Sequence, residues 1–254
     1  MKKVACFVAV LAALACATAA FGYGSLISSF AAPSTYPNGV GWASWSTSGF
    51  WVNCNGNDYR YRMTTAGSIY ASWANPGGGS MGCGAANIGG TGYVFVVDYN
   101  NKYAYRIGMG SGSIYSSWAV PGTYPYGIDY CGTGGNYVYY TDMNSRTLYF
   151  MHAYTGSIYR SHTLSFTPSD VGYDPRGYLW ITQGSGSLVR QCTTTGSPVN
   201  SFSVSSYGYP AGCGCDGEYV YVGINAPLHS VLKFETAGVG IAPKSLGKIK
   251  AMFR

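Results

Sequence analysis

The sequence predicts an all-β fold, a five-bladed β-propeller of four-stranded antiparallel blades, and three observations carry that prediction. A run opening Gly-Ser recurs five times: GSLISSF from Gly24, GSIYASW from Gly67, GSIYSSW from Gly112, GSIYRSH from Gly156 and GSPVNSF from Gly196. The spacings of 43, 45, 44 and 40 residues match the period of a four-stranded blade rather than that of a helical repeat. Turn residues divide each interval into four short runs with period-two patterning. The order of runs begins with a fourth strand at Gly24 and ends with a third strand at Ser230.

The first runs follow Pro or Gly: PNGVGWA from Pro37, GSMGCGAA from Gly79, PYGIDYC from Pro125, PSDVGYD from Pro168 and PAGCGCD from Pro210. Their small residues suit the crowded centre of a propeller, where backbones approach closely. The second runs, FWVNC, YVFVVD, YVYYTD, YLWITQ and YVYVGI, are aromatic and β-branched and have high strand propensity. The third runs, DYRYRM, KYAYRI, TLYFMH, SLVRQC and SVLKFE, alternate as an outer strand with one wetter face should. The Gly-Ser segments are the fourth. Turn chemistry separates the members at Asn55-Gly56-Asn57, Gly89 to Gly92, Gly132 to Asn136, Pro175-Arg176-Gly177 and Asp216-Gly217.

The fifth blade lacks its outer strand unless the amino-terminal segment supplies it. Pairing of Leu26–Phe30 with Val231–Glu235 closes the ring and removes the exposed ends of an open array. GYVFVVDYNNKYAYRI from Gly92 and NYVYYTDMNSRTLYFM from Asn136 show strand, Asp, Asn-rich turn and strand. In this they resemble the NHL and YVTN-like propeller repeats of exported bacterial proteins. The other blades depart, with Asn55, Gln183 and Ile224 where Asp98 and Asp142 stand. The resemblance implies a fold and no activity.

Lys2 and Lys3, the apolar run from Val4 to Ala15 and the small residues at 17–20 read as a signal peptide over 1–20. The propeller is expected over 21–240 and a basic tail over 241–254. Cys16 lacks the upstream Leu of a lipidated cysteine. No other segment has about 18 uninterrupted apolar residues, so no membrane span is expected in the mature chain. The expected location is secreted, extracellular or at the cell surface, with the periplasm as the alternative.

The formal charge of +6 is concentrated at the ends, because residues 21–240 hold nine basic and nine acidic side chains. A neutral body carries no nucleic-acid footprint. Six cysteines follow the signal segment: Cys54, Cys83, Cys131, Cys192, Cys213 and Cys215. Their pairing cannot be read from the sequence, and a bond between Cys213 and Cys215, two apart on one strand face, would strain the backbone. Without a histidine at ligand spacing, Cys-Gly-Cys reads as small core residues rather than a metal site.

An enzyme needs converging acids, bases or metal ligands. His152 and His162 fall on outer strands, away from the axis. Asp129 and Asp170 are the acids early in inner strands, and a paired-carboxylate mechanism would have to use them. Asp98 and Asp142, ending second strands, are expected to bond to the turns that follow. No catalytic residue, metal ligand or cofactor is therefore assigned.

Loops before the inner strands and after the second strands share one face, called upper here. Tyr36, Tyr124, Tyr126, Tyr207 and Tyr209 lie on the former; the latter include Asn100 and Asn144. Flat rings beside neutral amides suit a glycan or an extended peptide. The expected function is a binding or interaction module at that rim, with a glycan or an extracellular protein as partner. The alternatives are a self-associating subunit of an extracellular filament or layer, favoured by few charges and many aromatics, and a propeller lyase or glycoside hydrolase. Phe30, Trp73, Trp118, His162 and Phe202, ending the fourth strands, read as packing between blades. In the tail, Leu246, Ile249 and Phe253 at helical spacing, with Lys248, Lys250 and Arg254, suggest a short cationic helix.

Overall fold

The computed structural model describes residues 23–43, 49–132 and 135–236. The signal segment and the basic tail lie outside the described residues. Twenty strands form five four-stranded antiparallel sheets. Blade 1 holds β1's successors β2 (Pro37–Ala43), β3 (Gly49–Cys54), β4 (Tyr59–Thr64) and β5 (Ile69–Ala74), where β1 is Leu26–Ala31. Blade 2 holds β6 (Ser80–Ile88), β7 (Thr91–Asp98), β8 (Tyr103–Gly108) and β9 (Ile114–Ala119). Blade 3 holds β10 (Pro125–Cys131), β11 (Tyr137–Asp142), β12 (Thr147–His152) and β13 (Ile158–Thr163). Blade 4 holds β14 (Val171–Asp174), β15 (Tyr178–Gln183), β16 (Leu188–Cys192) and β17 (Pro198–Ser203). Blade 5 holds β18 (Gly208–Cys215), β19 (Tyr219–Pro227) and β20 (Ser230–Glu235), and β1 is its outer strand.

The closure expected from the strand count is present, with Phe30 opposite Val231 and Leu26 opposite Phe234. The blades stack through five clusters of buried side chains. Each is made mainly by second and third strands of one blade against inner-strand residues of the next, such as Phe95 and Val97 with Ile128, or Tyr139 and Phe150 with Val171.

The Gly-Ser repeat has a packing reason. Gly24, Gly67, Gly112, Gly156 and Gly196 all have φ between +69° and +87°, a conformation that a side chain disfavours. Each also lies against the fourth-strand end of the preceding blade. A Cβ on Gly24 would meet Phe202, on Gly67 Phe30, on Gly112 Trp73, on Gly156 Trp118 and on Gly196 Leu164. The periodic aromatics therefore pack between blades, with Leu164 taking that place in blade 3, where the sequence suggested His162.

Every outer strand carries a bulge just after the Gly-Ser pair. Ile27, Tyr70, Tyr115, Tyr159 and Val199 are the extra residues, and all five are exposed. A bulge increases local twist and spoils the flat edge that another strand would pair with.

Candidate functional site

The five inner runs approach the axis at alternate residues, on two levels. Gly39, Gly82, Gly127, Asp170 and Gly212 form one level, and Gly41, Gly84, Asp129, Gly172 and Gly214 the next. A Cβ at Gly172 would fall 2.9 Å from Cα of Gly214, and one at Gly214 2.6 Å from the carbonyl oxygen of Val40. Backbone thus packs on backbone, and each level carries one side chain, a carboxylate.

Both carboxylates link blades. Asp129 Oδ2 accepts the amide N–H of Tyr173 at 2.7 Å, and its Oδ1 accepts that of Tyr130 at 2.8 Å. Asp170 Oδ2 accepts the N–H of Cys213 in blade 5 at 2.8 Å and that of Val40 in blade 1 at 3.3 Å. Asp170 thus faces neighbouring blades across the axis rather than capping a local turn. Burial pushes Asp129 up to about 7, against the lowering pull of its N–H donors. Burial also holds Asp170 well above the usual carboxylate range; its N–H donors oppose this and the charge of Asp129 adds to it.

At the lower mouth, where the inner strands end, lies a pocket of about 270 Å³. Trp42, Tyr130 and Tyr173 line it, together with Met109, Asn87, Pro175 and the edge of Asp129. The three rings come from the sixth position of three inner runs, and each lies flat on an aromatic ring from the second strand of the preceding blade. Trp42 stacks on Tyr221 (5.5 Å between centroids, 6° between planes), Tyr130 on Phe95 (5.8 Å, 4°) and Tyr173 on Tyr139 (6.2 Å, 12°). Stacking fixes the rings in place, so they do not need a ligand to order them.

The predicted upper-rim residues separate into groups. Tyr124 lies between Tyr99 (4.4 Å) and Tyr126 (6.3 Å, 12°). Tyr126 is buried, and Tyr207 packs edge-on against Phe234. Tyr209 is exposed, as is Tyr36, which meets the ring of His229. Asn100 Nδ2 donates to the carbonyl of Gly78, and Asn144 Nδ2 to Thr123 Oγ1. Asp98 accepts the N–H of Asn101, and Asp142 accepts those of Ser145 and Tyr124, so both acids hold their turns as expected. The rim therefore offers Tyr36, Tyr124 and Tyr209 to solvent, spread over three blades.

The lower-mouth rings were visible in the quoted inner runs, at the position held in turn by Trp42, Ala85, Tyr130, Tyr173 and Cys215. Ligand groups are expected first in loops, and nothing local in a strand end marks it as converging with others. The six cysteines of the described residues are all buried, and burial pushes the thiols of Cys54 and Cys192 up to about 12.

No protein-family model matches the chain, and no curated protein matches it. Among solved structures it is similar to the glutaminyl cyclase of Myxococcus xanthus, with TM-score 0.66 and 10% identity over 87% of this chain and 99% of that one. It is also similar to a protein of unknown function from Bacteroides caccae, with TM-score 0.51 and 14% identity over 79% and 78%. Selenomethionine-substituted virginiamycin B lyase from Staphylococcus aureus aligns with TM-score 0.48 and 17% identity over 82% and 73%. At these identities the first two likenesses show the five-bladed fold. Two of the three neighbours are enzymes by name.

Proposed function

We propose that the protein is an exported binding module whose principal site is the lower-mouth pocket. The observation that carries this reading is the convergence of Trp42, Tyr130 and Tyr173, each held by a stacked partner, on one cavity. Preformed aromatic concavities with few polar groups are the usual form of a small-ligand site. Catalysis by paired carboxylates fits less well. Asp129 borders the pocket, but Asp170 is fully buried and bonded to Cys213 and Val40. Assembly into a filament through the blade edges is also disfavoured, because all five edges are bulged.

A second reading keeps a glycan or extracellular protein at the upper rim, on the exposed rings of Tyr36 and Tyr209 and the half-buried Tyr124. The two sites are separated by comparing a Trp42→Leu variant with a Tyr124→Ala plus Tyr209→Ala variant against a glycan array and a panel of small organic ligands. Loss confined to Trp42→Leu supports the lower mouth. Loss confined to the tyrosine variant moves the site to the upper rim.

A further inference from the structure

Resting on the lower-mouth reading, we propose that this pocket takes an organic ammonium group, such as a trimethylammonium head or an alkylated amine, rather than a sugar or an anion. Charge is the first argument. Asp129 is the charged side chain in the lining, which contains no Lys, Arg or His. Arg176, next to Pro175 of the lining, is committed to Asp174 by a 2.6 Å ion pair. An anion would meet a carboxylate and three aromatic rings with no cation among the described lining residues to receive it, whereas a cation is attracted by the carboxylate and by any ring face it can reach.

The chemistry of the walls is the second argument. A sugar needs several directional partners, and among the described lining residues a single side-chain amide, that of Asn87, has no hydrogen bond to the protein. Both oxygens of Asp129 accept backbone N–H groups, and Tyr130 OH donates to Asn136. A quaternary ammonium needs no hydrogen bond. It is held by aromatic rings and a nearby negative charge, and Trp42, Tyr130, Tyr173 and Asp129 border the same cavity.

Size is the third. About 270 Å³ lies just under the range of pockets that hold drug-sized ligands, so it suits a head group rather than an oligosaccharide.

The test is calorimetric titration of the full chain at pH 8 with choline and with 3,3-dimethylbutan-1-ol, which has the same shape without the charge. Choline is expected to bind at least about tenfold more tightly than the alcohol, because the cation–π term is lost in the alcohol. Trp42→Leu and Asp129→Asn should each weaken choline by about tenfold or more, while circular dichroism and thermal unfolding report whether each variant is folded. Tyr130→Leu, which removes another ring of the lining, should also weaken choline and serves where Trp42→Leu fails to fold. Equal, Trp42-dependent binding of choline and the alcohol would overturn the cation assignment and leave the pocket standing. No binding of either by a folded protein would overturn the cation assignment, and a glycan or ligand panel then also insensitive to Trp42→Leu would remove the pocket reading.

Discussion

Gly67 lies under Phe30, and a Cβ on the glycine would fall 2.7 Å from Cγ of that ring. The contact joins the outer strand of blade 1 to the amino-terminal strand that completes blade 5. It recurs at each of the five blade junctions. The repeat that makes the sequence look periodic is therefore an inter-blade contact, set by a left-handed backbone and by the side chain above it, an aromatic ring at four junctions and Leu164 at the fifth.

Replacing one of these glycines should be costly. Gly112→Ala adds a Cβ 2.5 Å from Trp73 at φ +69°. It is expected to destabilise the fold by about 2 kcal/mol or more through combined overpacking and backbone strain. Gly110→Ala, where a Cβ meets nothing within 4 Å, should change stability by less than about 0.5 kcal/mol. Denaturant unfolding of the two variants measures the contrast.

The axial acids make stability depend on pH in an unusual direction. In the unfolded chain Asp129 titrates near the ordinary value of 3.8, and in the fold burial raises it to about 7. Between those values the folded state holds the proton more tightly, so stability is greatest near pH 4 and falls as pH rises to about 7. Asp170, which faces Asp129, shifts in the same direction, and the nearby thiols of Cys83 and Cys213 are held neutral by burial. Melting temperature should therefore drop between pH 5 and pH 8, by an amount corresponding to roughly 1–3 kcal/mol. Asp129→Asn should flatten much of that slope.

How much of this was legible in the chain differs between fold and site. Turn residues, the alternation in the second and third runs and the Gly-Ser period each report a local preference, and a propeller repeats local preferences, so even the joining of β1 to β20 followed from counting. The binding surface depends on which strand ends converge, and no local preference records that. Tyr126 and Tyr209 look alike beside their prolines, yet one is buried and the other exposed. Asp170 stands out in the sequence only as an acid early in an inner run, because its partners Cys213 and Val40 are 43 and 130 residues away.

That difference between tyrosines can be measured. Tyr126→Ala removes a buried ring and should cost about 3 kcal/mol or more. Tyr209→Ala, at an exposed position, should stay within about 0.5 kcal/mol of the parent. Urea denaturation of both variants tests whether the rim divides this way.

The thiols supply a further check on the packed core. Cys54, Cys83, Cys131, Cys192, Cys213 and Cys215 should escape alkylation by iodoacetamide in the native protein and react fully in guanidinium, because all six are buried away from the reagent, and burial also raises the titration points of Cys54, Cys83, Cys192, Cys213 and Cys215. Peptide mapping by mass spectrometry reads each position separately. Rapid native labelling at any of the six would contradict the packing described.

Asp170, reaching from blade 4 to the amides of blades 5 and 1, ties the start of the ring to its end at the axis as well as at the outer edge. The seam where the two ends of the propeller meet is thus fastened twice, once by the outer pairing of β1 with β20 and once by a single buried carboxylate.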